Sequence, residues 1–336
     1  MAQPELINLN SLEGRLLFAV PKKGRLLQAA LNLLEGADIQ FKRENRLDIA
    51  LVKNLPIALV FLPAADIPTF VGEGRVDLGI TGYDQVQEHD AGVRALARAR
   101  RMSNDWSPKP DQKPQGCETV IDLGFGACRL QVQVPAKGEY KEGKDLIGKN
   151  IGTSFVHLAQ EYFARLELEQ EGITDTALIA TRKLRTKIIE LSGSVEAACA
   201  LGVADGIVDL VESGETMKAA GLKAIDTVVE TSAILIKSKA PSNPEMVNLI
   251  AARINGVITA QKYVLCQYNV PRASLAEATK WTPGKRAPTV TSLEEEGWVA
   301  VSAMVEKKRI ATVMDELTKV GATDILVLDI HNTRSS

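Results

Sequence analysis

The sequence predicts an α/β protein: two lobes built on mainly parallel sheets, then a separate C-terminal βαββαβ module. Three observations carry this. Strand-length apolar runs alternate with helically spaced segments through the first two thirds of the chain. A Pro-rich, charged stretch from Arg101 to Gly116 interrupts that alternation and marks a surface loop or crossing. Beyond Pro241 the order changes to a helix followed by βαββαβ. At 336 residues the chain is also too long for one ordinary core.

In the first block, Leu16–Val20 is a short apolar run that ends at Pro21, the mark of a buried strand. Leu26, Leu27, Ala30, Leu31 and Leu34 recur at helical spacing, with Gly36 as the stop. Ile57–Leu62 and Val76–Ile80 read as further strands, separated by a helical turn at Asp66–Val71. The second block reads as strand Arg129–Val134, helix Val156–Gln170, strand Ala177–Ala180, helix Ser194–Leu201 and strand Gly206–Leu210. The third reads as helix Pro244–Gln261, strand Tyr263–Val270, helix Arg272–Ala278, strands Pro288–Thr291 and Trp298–Val305, helix Lys308–Val320 and strand Asp324–Ile330, a ferredoxin-like order. Two α/β blocks of this kind make lobes around a cleft, the arrangement of periplasmic binding proteins, and ligands bind beyond the carboxyl ends of such strands.

Composition narrows the function. With 45% hydrophobic and 24% charged residues the chain is globular, and a net charge of -2 leaves no basic field for nucleic acid. The four cysteines lack metal or redox spacing and the three histidines are scattered, so reduced thiols in a cytoplasmic protein are expected. The N-terminus has no secretory pattern, and no apolar run approaches a membrane span.

The most informative stretch is Gly206-Ile-Val-Asp-Leu-Val-Glu-Ser-Gly-Glu-Thr216, a strand that runs into a turn and then a helix. Helix N-termini present unsatisfied N–H groups to phosphate. Gly214 admits close backbone approach, and Ser213 and Thr216 add hydroxyls. Asp209 and Glu212 precede the turn, where carboxylates can accept ribose hydroxyls. An isolated Ser-Gly-x-Thr is most often a plain helix cap; the acid-bearing apolar strand before it points instead to a held ribose 5-phosphate. At another strand-to-helix turn, Lys23, Gly24 and Arg25 suit a polyphosphate. Thr81, Gly82 and Asp84 end a third strand, where backbone can run beside a planar ligand. His157 and the tryptophans Trp281 and Trp298 read as structural.

Extended back to Glu196, the stretch reads Glu196-Ala-Ala-Cys-Ala-Leu-Gly202-Val-Ala204-Asp-Gly-Ile207-Val-Asp209-Leu-Val-Glu-Ser213-Gly214-Glu-Thr216-Met217 and resembles the signature of the ATP phosphoribosyltransferase family. Val20–Leu26, Asp66–Pro68, Asp77–Gly82 with Asp84, Gly124–Leu130 and Leu191–Glu196 continue the resemblance. Pro288–Val290 and Gly297–Val301 look like the regulatory domain of the family's long form. Lys22 stands where the family often has Ser, and the linker near Trp106 is longer than usual.

The resemblance implies transfer of 5-phosphoribosyl from 5-phosphoribosyl diphosphate (PRPP) to N1 of ATP, the first step of histidine biosynthesis. Mg²⁺ would be held mainly by the substrate diphosphate rather than by protein ligands. Histidine would inhibit by shifting an active dimer towards a hexamer. The implied PRPP contacts are Glu196, Asp205, Asp209, Leu210, Val211, Glu212, Ser213, Gly214, Glu215 and Thr216. The implied ATP contacts are Lys23, Gly24, Arg25, Asp66, Thr81, Gly82 and Asp84. No acid or base is assigned, since positioning and electrostatics do the work. Catalytic lobe I would take residues 1–109 with 219–240, lobe II 110–218, and the regulatory domain 241–336. A solute-binding protein, a transferase for another base and an amino-acid sensor with decayed lobes are the rival classes.

Overall fold

The computed structural model describes residues 9–43, 47–102, 116–174 and 183–334. The expected strand Ala177–Ala180 and most of the 101–116 linker lie outside them. By contacts the chain forms two compact units: one holds both sheets of the α/β region, and the other comprises Leu31–Gln40 with Asn248–Ser336.

The first sheet is centred on three parallel strands, β1 (Leu16–Pro21), β3 (Ile57–Leu62) and β4 (Leu78–Gly82). Antiparallel strands complete the order β2-β3-β1-β4-β11-β5, with β2 at Ile49–Leu51, β5 at Cys117–Asp122 and β11 at Ala233–Ser238. β4 is buried along its whole length, as a covered sheet requires. Helix α1 (Arg25–Gly36) leaves the end of β1, and α2 (Ile67–Gly72) presses Ile67 and Val71 onto β4, where Gly79 makes room. Helix α3 (Tyr83–Met102) follows β4 directly.

The second sheet runs β10-β6-β9-β7-β8, with β6 at Cys128–Pro135, β7 at Asn150–Thr153, β8 at Lys187–Glu190, β9 at Gly206–Val211 and β10 at Leu222–Thr231. β8, β7 and β9 are parallel, and β6 runs antiparallel to its neighbours. Helix α4 (Val156–Gln170) buries Leu158, Ala159, Tyr162 and Phe163 against Leu130, Val132, Val134 and Val208. Short helices α5 (Ala197–Ala200) and α6 (Glu215–Ala219) flank β9.

The sheets divide the chain differently from the expected lobe boundaries at two strands. β5, expected in lobe II, pairs with β11 in the first sheet; β10, expected in lobe I, pairs with β6 in the second. The chain therefore crosses between lobes twice, at Asp122–Cys128 and at Thr231–Ala233. The two crossings hold each other: Leu123 N donates to Ala233 O and Ala233 N to Phe125 O, both at 2.9 Å.

In the other unit, α7 (Pro244–Lys262) leads into β12 (Tyr263–Pro271), α8 (Leu275–Trp281), β13 (Thr289–Ser292), β14 (Trp298–Glu306), α9 (Ile310–Lys319) and β15 (Thr323–Asp329). The antiparallel order β13-β14-β12-β15 is the split βαββαβ arrangement expected. Strict alternation on β12 and β14 turns Val264, Cys266, Tyr268, Val299 and Val301 towards Val313 and Leu317 of α9.

Glu167 secures the second lobe. Its fully buried carboxylate on α4 accepts Thr186 N at 3.0 Å, Thr186 Oγ1 at 2.9 Å and Arg185 N at 3.1 Å. Burial alone would raise its pKa; these hydrogen bonds outweigh burial and hold it below the ordinary glutamate value. A lowered pKa contributes stability above the unfolded-state value and loses it as pH falls through the folded-state value. Glu167→Gln is therefore expected to cost about 1–3 kcal/mol at neutral pH. In denaturant titrations at several pH values, the gap to wild type should narrow once pH falls through that lowered value.

Candidate functional site

The C-terminal end of β9 carries the loop singled out above. Asp209 is half-buried, and Leu210 N donates to its Oδ1 at 2.8 Å. Burial raises the Asp209 pKa, the Leu210 N–H opposes this, and the negative charge of Glu196 raises it further. Glu196, just before α5, and Asp209 are thus brought into one electrostatic site. Glu212, Ser213, Glu215 and Thr216 are exposed, and Glu215 N donates to Ser213 Oγ at 3.4 Å. Gly214 sits at φ 79° with only Met217 and Val211 carbons nearby, so backbone conformation rather than crowding selects glycine there.

Asp205 is elsewhere. It precedes β9, so about 3.3 Å per residue sets it roughly 20 Å from Glu212. Its carboxylate accepts Asn150 N at 2.9 Å, which joins the starts of β7 and β9. The structure gives Asp205 a structural bond and keeps it away from the loop.

Across the cleft, Lys23 and Gly24 are exposed in the turn after β1, where Gly24 has φ 86°. Arg25 Nη1 donates to Gly126 O on the first crossing, and Lys22 pairs with Asp48 at 2.8 Å. Asp66 is exposed in front of α2 and caps nothing with its side chain. Thr81 is fully buried and spends its hydroxyl on Ala64 O at 2.8 Å. Gly82 is buried beside Asp84, whose carboxylate a side chain at Gly82 would strike. Asp84, only 1% exposed, accepts Thr231 Oγ1 at 2.6 Å and Gln85 Nε2 at 2.9 Å. The polar groups of Thr81 and Asp84 are therefore engaged inside the protein, and the exposed side chain at that strand end is Tyr83.

A cavity of about 830 Å³ is lined by Tyr83, Asp122, Arg129, Glu212, Glu230 and Ser232, among others. Residues of both lobes and both crossings meet there. Of the side chains anticipated from sequence, Glu212 alone is in its lining. Arg129 belongs to the Gly124–Leu130 motif, which was a usable signal; Asp122 and Glu230 sit in no recognisable pattern. Cys128 also lines the cavity. Its thiol is pushed up to about 11 by burial first, with Arg25 opposing and Asp84 and Glu212 adding to the rise. It stays protonated at neutral pH.

The family model described as ATP phosphoribosyltransferase matches residues 63–256, and the C-terminal domain model of the same family matches 260–332. The chain belongs to the ATP phosphoribosyltransferase family. It is 59% identical over 326 residues to the ATP phosphoribosyltransferase of Yarrowia lipolytica, covering 97% of this chain and 99% of that one. Identity to the Candida albicans and Saccharomyces cerevisiae proteins of that name is 55% and 54%, at the same coverage. A Thermotoga maritima ATP phosphoribosyl transferase complex superposes with TM-score 0.53 at 23% identity, over 73% of this chain and 98% of that one, a likeness of fold. As an ATP phosphoribosyltransferase family member the chain is a transferase, of the family that opens histidine biosynthesis. Among the described residues no helix is long and apolar enough to cross a membrane.

Removing a buried hydrogen-bonded carboxylate strands its partners, so Asp84→Ala should lose about 1–3 kcal/mol of stability. Lys23→Ala, at an exposed turn, should stay within about 0.5 kcal/mol of wild type. Chemical denaturation of both variants makes the comparison.

Proposed function

We propose that the chain transfers the 5-phosphoribosyl group of PRPP to N1 of ATP, releasing diphosphate. The observation that carries this reading is the Asp209–Thr216 loop, with its left-handed Gly214, opening at the strand end beside a cavity that draws on both lobes. The N1 lone pair forms the bond to C1′ while the C1′–oxygen bond breaks and its electron pair leaves with diphosphate. Positive charge grows on the ribose ring and negative charge on the leaving group. The protein's work is alignment, worth about 7–11 kcal/mol in favourable cases, and support of the separating charges.

Ser213, Gly214 and Thr216 take the 5-phosphate, and Asp209 accepts the ribose hydroxyls with Glu196 beside it. From lobe I, Lys23 faces polyphosphate, Arg25 steadies the first crossing and Tyr83 offers a ring to the adenine. Among the described residues no group of three carboxylate, His or Cys side chains is placed to grip a metal. Mg²⁺ would enter on the diphosphate, and Asp122, Glu212 and Glu230 of the cavity lining would take hydrogen bonds from its waters. When bound, Mg²⁺ neutralises charge on the leaving diphosphate.

The C-terminal unit supplies the brake. A cavity of about 440 Å³ on its sheet includes Gln267, Asn269, Thr291, Ser302 and Asp324. Asn269 Nδ2 donates to Asp324 Oδ2 at 3.0 Å, and Asp324 itself is held at φ 49°. These polar groups suit an amino acid, and histidine is the inhibitor the family implies. The working enzyme is a cytoplasmic homo-oligomer, a dimer driven towards a hexamer by histidine.

Diphosphate release is expected only when ATP, PRPP and Mg²⁺ are all present; none above background sinks the reading. Asp209→Asn should lower kcat/KM for PRPP about 10–100-fold, the worth of a charged hydrogen bond. Because burial and Glu196 raise the Asp209 pKa, its protonation begins at a higher pH than that of an ordinary aspartate. The wild-type kcat/KM for PRPP should therefore fall on the acid side earlier than an ordinary carboxylate would dictate, and the variant should lack that limb. Histidine should inhibit the intact chain, and Asp324→Ala should relieve the inhibition while basal turnover stays unchanged.

A further inference from the structure

Helix α4 opens without a cap of its own, since its N-cap residue, Phe155, makes no side-chain hydrogen bond. The first N–H groups of a helix need acceptors. Here they come from the other lobe. Glu88 on α3 receives His157 N on Oε1 at 2.8 Å and Leu158 N on Oε2 at 2.9 Å. A carboxylate at that end also complements the helix dipole.

Two further contacts lie along the same pair of helices. Arg94 of α3 grips both oxygens of Glu161 on α4, at 3.1 Å and 3.0 Å. Gly92 lets the His157 ring approach so closely that an added Cβ would stand 2.9 Å from its Cδ2. At its other end α3 is fastened to the second crossing: Tyr83 N donates to Ser232 O, and Asp84 N to Thr231 Oγ1, both at 2.9 Å. One helix of lobe I thus bears on the second crossing with its first residues and on lobe II with Glu88, Gly92 and Arg94.

We propose that Glu88 is a positioning residue: its cap on α4, from across the lobes, sets the angle at which Tyr83 and the Glu212–Thr216 loop face each other. The proposal rests on the two-substrate reading above. Each substrate is held chiefly by one lobe, so the tie governs how the two meet rather than how either binds. A misplacement of about 1 Å between reacting atoms can cost about 10²-fold in rate.

Steady-state kinetics of the full-length chain test this with Glu88→Ala and Glu88→Gln, beside circular dichroism. Expected is a kcat lowered about 10²-fold in Glu88→Ala, with both KM values within about threefold of wild type and Glu88→Gln intermediate, since its amide keeps one acceptor. A folded Glu88→Ala with kcat within about twofold of wild type overturns the proposal. Should Glu88→Ala fail to fold, Glu88→Gln decides: reduced kcat at unchanged KM supports positioning, and wild-type kcat removes it. Small-angle X-ray scattering separates the two readings. If wild type proves inactive with ATP and PRPP, the function reading fails. The lobe tie then stands if Glu88→Ala or Glu88→Gln alters the radius of gyration, and falls if neither does.

Discussion

The carboxylate of Asp84 lies where the first sheet ends, where α3 begins, and where the chain returns from the second lobe. Burying such a group is expensive unless its oxygens are satisfied. Both are: Thr231 Oγ1 and Gln85 Nε2 donate to them, while Thr231 Oγ1 in turn accepts Asp84 N–H. The arrangement leaves the second crossing little freedom at Thr231. Because that crossing is hydrogen-bonded to the first through Leu123, Ala233 and Phe125, one small polar cluster fixes where the chain passes between the lobes.

Charge in the cleft follows from the same convergence. Asp122, Glu212 and Glu230 come from three separate strands or strand ends and share the cavity with Arg129. Ser232 Oγ donates to Asp122 at 2.9 Å, and Gly124 N at 2.8 Å, so this acid is oriented before any ligand arrives. Asp209 is the opposite case. Burial and Glu196 disfavour its charged form, so a partner that donates hydrogen bonds to that carboxylate offsets the cost. A loop of exposed hydroxyls and N–H groups beside one destabilised carboxylate suits a ligand that carries both phosphate and sugar hydroxyls.

The C-terminal unit keeps its chemistry on one side of a sheet. Alternation on β12 and β14 commits one face to α8 and α9, with Tyr268 bonded to Thr282 at 2.7 Å inside that core. The opposite face is left to polar residues such as Gln267, Asn269 and Ser302. Any ligand there is recognised by groups whose positions are set by strand pairing, which moves less than loops do.

Much of the fold was legible because local rules decide it. The apolar period of Val156–Gln170 marked α4 with its observed bounds, and the apolar runs at Ile57 and Gly206 marked β3 and β9. α3 escaped notice because charged and polar residues dominate it, and of its few large aliphatic residues Val86 is buried while Val93 and Leu96 are exposed. β10 was hidden by two register shifts against β6, which break the alternation that betrays a strand. The loop at Asp209–Thr216 could be read since strand, turn and helix are contiguous there. By itself, then, the sequence determined the family, many of the element types and that loop; the elements and the loop are products of short-range sterics and hydrogen bonding. Tertiary structure alone decided that Thr81 and Asp84 turn inward, that the Asp205 carboxylate is taken by Asn150 N, and that Tyr83, Asp122, Arg129 and Glu230 share one cavity. Those placements depend on pairings between residues far apart in the chain, which no local pattern encodes.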